Sequence, residues 1–319
     1  MLKHLSVIMS GYWFWLLAFT FTSCNNPRKN LIESAPLVSK TFRDDFGRTV
    51  NLRDKPKRIV SLAPYITETL FALGEGKSMA ARSNLCRYPV DADFLPEVDI
   101  YPELDLSQIV THDPDLVLAS AEYHQPSMAS FFERFNIPVI FLNPTSVATA
   151  LSGIHLLGQI VDQEKRANYL VDSLANKAIQ ISDSTQGQIK YKTAIVVSTD
   201  PIRVAGGGSF QQDFMKYAGA ENVFAKLPAR YPEISSEDLV KAAPEYLLFA
   251  MDDDQAYANL VAVAPELHLS LPAAQNKHVY QLEPELLMTP GPRLLEGIAY
   301  LIRILHARIQ IDGILRPDF

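Results

Sequence analysis

The feature that most constrains this chain is that it contains a stretch of itself twice. Tyr101-Pro102-Glu103-Leu104 opens a run that closes on Asp113-Pro114-Asp115-Leu116-Val117-Leu118-Ala119-Ser120. Tyr231-Pro232-Glu233-Ile234 opens a second, closing on Ala243-Pro244-Glu245-Tyr246-Leu247-Leu248-Phe249-Ala250. The offset is 130 throughout and six of twenty positions are identical, where ordinary residue usage gives about one by chance. A match at offset 140 sets Asn136–Pro144 beside Asn276–Pro284, and a weaker one sets Thr69–Gly74 beside Phe214–Gly219, each a short apolar helix closed by glycine. Two copies do not make a solenoid. They make two similar lobes, which agrees with the two domains that 319 residues suggest.

Each copy alternates apolar strands with helices. Ile59–Leu62, Met79–Arg82, Leu116–Ala119 and Val139–Leu142 read as strands in the first lobe, with helices over Thr67–Leu73, Leu106–Thr111 and Met128–Phe135. Ala194–Val197, Tyr246–Ala250 and Val279–Leu282 read as strands in the second, with helices near Phe210–Ala218 and Ser236–Lys241. Short runs of Val, Ile and Leu indicate burial on both faces, as in a parallel sheet. The expected fold class is α/β, two Rossmann-like lobes with parallel central sheets.

The junction between lobes has its own pattern. Residues 146–183 hold no proline, and Leu151, Ile154, Leu157, Ile160 and Val161 share one helical face. About 35 helical residues would make a rod of about 50 Å. The expectation is one long rigid helix over 146–183, joining an N-terminal lobe (40–145) to a C-terminal lobe (184–319), with a cleft between them and a small closing motion.

The start of the chain is a different object. Lys3 and His4 precede an uncharged apolar run from Leu5 to Thr22, and Phe21-Thr22-Ser23-Cys24 is followed at once by polar residues. That is the pattern of a secretory signal, and Cys24 resembles the lipidated cysteine of a bacterial lipoprotein box, with Phe21 where leucine is usual. The expectation is a signal over 1–24, a flexible tether over 25–39, and an envelope or periplasmic lipoprotein held to the membrane through Cys24. An uncleaved anchor is the alternative. Both tryptophans, Trp13 and Trp15, lie in the leader. Removing it leaves a formal charge of −8, from 28 bases against 36 acids. Such a chain suits neither a nucleic-acid partner nor strong attraction to anionic membranes.

Several motifs then resemble one family. Asp44-Asp45-Phe46-Gly47-Arg48, Pro56-Lys57-Arg58-Ile59-Val60-Ser61, Thr67-Glu68-Thr69-Leu70, Pro114-Asp115-Leu116, Gly219-Ala220-Glu221-Asn222-Val223-Phe224 and Pro290-Gly291-Pro292-Arg293 keep the order seen in helical-backbone periplasmic binding proteins. These are the solute-binding partners of ABC importers for cobalamin, haem and ferric siderophores. The resemblance runs from about Thr41 to Ala307. Cys86-Arg87-Tyr88-Pro89 is similar to the Cys-x-Tyr-Pro of cobalamin-type members. It implies a non-enzymatic protein with no intrinsic cofactor, a corrinoid, haem or siderophore as ligand, and permease and ATPase subunits as partners. A monomer is expected.

Candidate ligand residues follow. The resemblance sets Tyr101 and Tyr231 opposite one another on the two lobes, where aromatic faces suit a flat macrocycle. Loop packing is the alternative for each. Arg87 and Arg293 are candidate polar contacts, against simple surface ion pairs. Gly207, Gly208 and Ser209 follow a strand, so that bare backbone approaches a bulky ligand. Tyr65, Tyr123 and His124 sit just after strands, where open α/β sheets bind ligands, and His124 is a candidate axial ligand. Cys86 and Tyr88 complete the set, although Cys86, left without a partner once Cys24 is lipidated, reads as a buried, packed thiol ahead of a reactive one. For docking, the resemblance expects an acidic residue on each lobe. Glu237 fills that place in the second, and Ser107 stands there in the first, with Glu103 or Asp105 as substitutes. A capping role is the alternative for Glu237.

Other classes fit less well. A zinc or manganese receptor needs clustered ligands, whereas His112, His155, His268, His278 and His306 are scattered. A hydrolase needs Gly-x-Ser-x-Gly, and Gly207-Gly208-Ser209-Phe210-Gln211 lacks the second glycine. A sensor or adhesion module of the same fold is a further alternative.

Overall fold

The computed structural model describes residues 39–100 and 103–315. The predicted leader, Cys24, most of the tether and Tyr101 lie outside the described residues. In chain order the elements are β1 (Lys40–Arg43), β2 (Thr49–Leu52), β3 (Ile59–Ser61), α1 (Pro64–Ala72), β4 (Met79–Ser83), β5 (Glu97–Val98), α2 (Leu106–Thr111), β6 (Leu116–Ser120), α3 (Ser127–Glu133), β7 (Val139–Leu142), α4 (Val147–Ile160) and α5 (Glu164–Thr185). There follow β8 (Tyr191–Thr199), β9 (Ile202–Val204), α6 (Phe210–Tyr217), β10 (Ala220–Asn222), α7 (Ser236–Ala242), β11 (Tyr246–Phe249), α8 (Ala256–Val263), α9 (Glu266–Ser270), α10 (Pro272–Gln275), β12 (Val279–Gln281), α11 (Pro284–Met288), α12 (Leu294–Leu305) and α13 (Asp312–Leu315).

Two parallel sheets form the lobes. The first has the order β5-β4-β3-β6-β7, the second β10-β8-β11-β12 with β9 antiparallel on β8. Successive strand residues point to opposite faces, so Leu116 and Leu118 pack under one set of helices while Val117 and Ala119 pack under the other. The repeat is structural as well as sequential. β6 and β11 begin 130 residues apart, as do α2 and α7, and the left-handed residues Asp113 (φ 45°) and Ala243 (φ 47°) fall at the same offset. The antiparallel pair β1–β2 and the buried helix α12 complete the two lobes.

The connection differs from the expected single rod. The segment 146–183 is broken into α4 and α5, with Asp162 in the left-handed region (φ 54°) between them. Asp tolerates that conformation better than most residues. The break lets the two helices fold against one another. Gly158 makes this possible, because a Cβ there would lie 2.2 Å from the Cβ of Ala167. Val147, Ala150 and Ile154 of α4 pack in the second lobe's core, and Leu157 and Ile160 in the first. α5 runs the other way, with Ala167 in the first core and Leu174, Ala178 and Ile181 in the second. Two antiparallel helices, the longer about 33 Å, therefore tie the lobes where one was expected. The apolar face that suggested continuity is real, but it serves both passes.

Candidate ligand cleft between the lobes

The loop that follows β6 and the loop that precedes α7 meet between the lobes. Glu122 and Tyr123 come from the first, Arg230 and Tyr231 from the second. Arg230 Nη1 lies 2.7 Å from Glu122 Oε2, with the side chains 17% and 7% exposed. Arg230 Nη2 also donates to Asn143 Oδ1 at 2.5 Å. Tyr231 is held from its own lobe. Buried Gln211 donates to the Tyr231 hydroxyl oxygen at 3.2 Å and to the Leu287 carbonyl at 3.1 Å. Burial first, and then the Glu122 carboxylate, push the Tyr231 phenol well above its ordinary value. Tyr123 keeps half its surface exposed and, with His124, Leu104 and Met128, lines a side pocket of about 320 Å³.

A second pair joins the lobes through their helices. Arg293, before α12, grips Glu68 of α1 through both carboxylate oxygens, Nε at 3.1 Å and Nη2 at 2.6 Å. Glu68 is 2% exposed along its side chain. Burial pushes its carboxyl up, and the Arg293 guanidinium pulls against that push. The Tyr88 ring covers the guanidinium at 3.9 Å, a cation–π contact. Arg87 and Asp252 approach across the same gap at 3.8 Å, but both are largely exposed, and such pairs contribute little.

The expected site residues thus fall into two groups. Tyr123, Tyr231, Tyr88 and Arg87 lie where the lobes face one another. Arg293 is there too, but its guanidinium is taken up by Glu68 and Tyr88. The others are packed inside. Tyr65 is buried and donates its hydroxyl to the Leu142 carbonyl at 3.0 Å. Cys86 is fully buried, its thiol 3.1 Å from Thr67 Oγ1 and 3.2 Å from Ser83 Oγ, which is the packed thiol the alternative anticipated. His124 is also buried, with Nδ1 at 3.0 Å from the Ser120 carbonyl. The glycine loop serves a different neighbour from the one expected. A Cβ on Gly207 would lie 2.2 Å from the Ala225 carbonyl oxygen, and one on Gly208 2.4 Å from that of Pro228. The bare backbone lets the chain's own 225–230 loop close over it, so that Gly206 N donates to the Arg230 carbonyl and Gly207 N to that of Leu227. Ser209 is buried as the N-cap of α6, accepting from Gln212 N.

The docking candidates sit at matching places. Ser107 and Glu237 are each the second residue of α2 and α7, and both are exposed. In α7 the cap is made by Ser235 and Asp238, which bond each other's backbone N–H. Capping therefore does not account for Glu237. In α2 the cap is Asp105, which accepts from Ser107 N and Gln108 N, so Asp105 is occupied, and Glu103 close by is exposed.

Glu122, Arg230, Glu68, Gln211 and Asn143 were not picked out from the sequence. Their one signal is weak: Glu122 and Arg230 each immediately precede a candidate tyrosine. Among the described residues no three His, Cys, Asp or Glu side chains are placed to hold a metal ion, and no helix is long and apolar enough to cross a membrane.

Comparison with known proteins agrees with this architecture. The periplasmic binding protein family model matches residues 59–286, and the chain belongs to that family, whose members bind solutes and are not enzymes. Among its relatives is the vitamin B12-binding protein of Vibrio parahaemolyticus, 27% identical over 259 residues, 79% of this chain and 91% of that one. The uncharacterized ABC transporter substrate-binding lipoprotein YvrC of Bacillus subtilis is 26% identical over 314 residues, covering 93% and 97%. The fold is shared with the apo haem-binding protein RhuT of Roseiflexus sp. RS-1, with a TM-score of 0.71 at 22% identity over 80% of this chain and 99% of that one.

Proposed function

We propose that this chain is the solute-capturing subunit of an ABC importer of the cobalamin, haem and siderophore type, and that its own ligand is a corrinoid. The observation that carries the reading is the meeting of Tyr123 and Tyr231 from opposite lobes around the Glu122–Arg230 pair. Aromatic surface on either side of a strip of polar groups suits a flat macrocycle with a polar rim. The similarity to the Vibrio vitamin B12-binding protein along nearly its whole length supports the corrinoid over its competitors. Haem or a ferric siderophore is the second reading, supported by haem-binding structures of the same fold.

The same reading includes delivery. The similarity to a substrate-binding lipoprotein supports an anchor at Cys24, and the exposed Glu237 is the acidic contact offered to the permease by the second lobe. The first lobe offers Glu103 beside Ser107, so docking is asymmetric. The binding claim is tested by calorimetric titration of the purified full chain with cyanocobalamin, haemin and a ferric hydroxamate. Cyanocobalamin should bind with a dissociation constant below about 10 μM, near −7 kcal/mol. If none of the three binds in that range, the solute-capture reading loses its support. Docking is tested by Glu237→Arg, which should abolish uptake in cells and leave calorimetric binding unchanged.

A further inference from the structure

The second lobe carries a basic hollow at the end of its sheet away from the cleft. Lys190 and Lys192 stand at the amino end of β8, Lys216 in the last turn of α6, and Lys226 in the loop after β10. With Ala242, the last residue of α7, they line a space of about 610 Å³. All four lysines are exposed, and none takes part in an ion pair among the described residues. One acid, Glu221, lines the same space. Glu245 comes near, with Oε2 accepting from the Lys192 backbone N–H at 2.9 Å. Four free cations against one lining acid make a local positive excess in a chain whose formal charge is −7. The flanks of the hollow are apolar. Ile189 and Leu227, the chain neighbours of Lys190 and Lys226, are 71% and 36% exposed. Lysines beside exposed apolar side chains suit a membrane interface, where the ammonium groups meet phosphates and the apolar groups enter the headgroup boundary.

We propose that this hollow is a contact surface for the phosphodiester headgroups of an anionic bilayer. The proposal goes beyond solute capture and does not depend on it. The net charge of the chain opposes such attraction, but charges more than about 8 Å away are screened at physiological salt, so at contact the lysines decide. Each lysine held near an anionic surface strengthens partition about fivefold. A single soluble phosphate would engage the ammonium groups and leave Ile189 and Leu227 in water, whereas a bilayer takes both. The placement gives the contact a consequence. α7 hands the chain to the amino end of β11, so it ends in the hollow at Ala242 and carries Glu237 toward the cleft side. A chain resting on the hollow therefore turns its cleft and its proposed docking acid toward water, the attitude for capture, and delivery requires that it let go.

Residues Ser39–Phe319 form one compact unit, so the surface is tested on protein freed of residues 1–38, which no leader or lipid can hold to a membrane. It is sedimented with vesicles of phosphatidylcholine alone and with vesicles of phosphatidylcholine and phosphatidylglycerol in equal parts. The anionic vesicles should bind about tenfold or more tightly, and added salt should release the protein. Lys190→Glu with Lys226→Glu should remove the preference. Lys77→Glu with Lys165→Glu, exposed lysines outside the hollow, changes the net charge equally and should keep it. Equal binding to both vesicles by the unmodified protein overturns the proposal. So does a preference that the first double variant retains at an unchanged melting temperature, or one that both double variants lose alike. Inorganic phosphate that strips the protein at an ionic strength where chloride does not would make the hollow a site for a soluble anion, and the bilayer proposal would fall. Solute titration enters none of these arms, so the capture reading stands or falls separately.

Discussion

Two glutamate–arginine pairs tie the lobes of this protein together, and they are built to different ends. Glu68 and Arg293 meet through two bonds, with Tyr88 stacked over the guanidinium. Every polar edge that the pair presents toward its partner is used. Glu122 and Arg230 are as close, but they meet through one oxygen only, and the carboxylate also lies beside the Tyr123 and Tyr231 phenols. A completed buried pair is a strut, since removing one partner strands the other. The second pair is held by one contact and shares its carboxylate with the two tyrosine phenols. On the proposed function, the difference separates holding the lobes from holding a solute, although residue types and burial are nearly the same.

The largest effect that would sharpen this contrast is expected at the strut. Glu68→Ala leaves the Arg293 guanidinium without its carboxylate, and global stability should fall by about 3 kcal/mol or more in urea unfolding. Tyr231→Ala should act on binding instead. Removing a central aromatic contact should weaken cyanocobalamin affinity by about 1–2 kcal/mol, five- to thirtyfold by calorimetry. Glu122→Gln keeps the shape of the side chain but leaves the Arg230 charge unbalanced, so its stability loss should be smaller than that of Glu68→Ala, about 1–2 kcal/mol. A larger loss there would make both pairs struts and end the comparison.

The smallest expected effect concerns His124, which lies beside Tyr123 in the chain. Burial holds its imidazole below the ordinary 6.5, with the Ser120 carbonyl pulling the other way. As pH falls through 6.5 the unfolded chain takes up the proton before the folded one does, so the folded state loses stability on acidification. Melting temperatures measured from pH 7 to pH 5 should decline less steeply in His124→Gln than in the unmodified protein.

Much of the framework was legible in the sequence because it is local. The 130-residue repeat placed both lobes, and the strand runs at Leu116–Ala119 and Val139–Leu142 fall within or on the observed β6 and β7. Helix α2 occupies the expected residues Leu106–Thr111. What escaped the reading depends on distant partners. Arg293 and Glu68 are 225 residues apart, and nothing near either residue announces the other. The glycines at 206–208 announced a close approach correctly, but only the fold shows that Ala225 and Pro228 are what approach. The break at Asp162 was hidden for a related reason. Val161-Asp162-Gln163 has no proline or glycine to mark a stop, and a helix that doubles back on its own apolar face keeps the periodicity of one that runs straight.

The central claim, that the cleft around Tyr123 and Tyr231 captures a corrinoid, is tested most directly by competition. The full chain is dialysed to equilibrium against equimolar cyanocobalamin, haemin and a ferric hydroxamate, and the retained chromophores are read by absorption. The account predicts that cyanocobalamin is retained in clear excess at a stoichiometry near one per chain, and that Tyr231→Ala lowers that retention. Retention of haemin or the hydroxamate in preference to cyanocobalamin would contradict it.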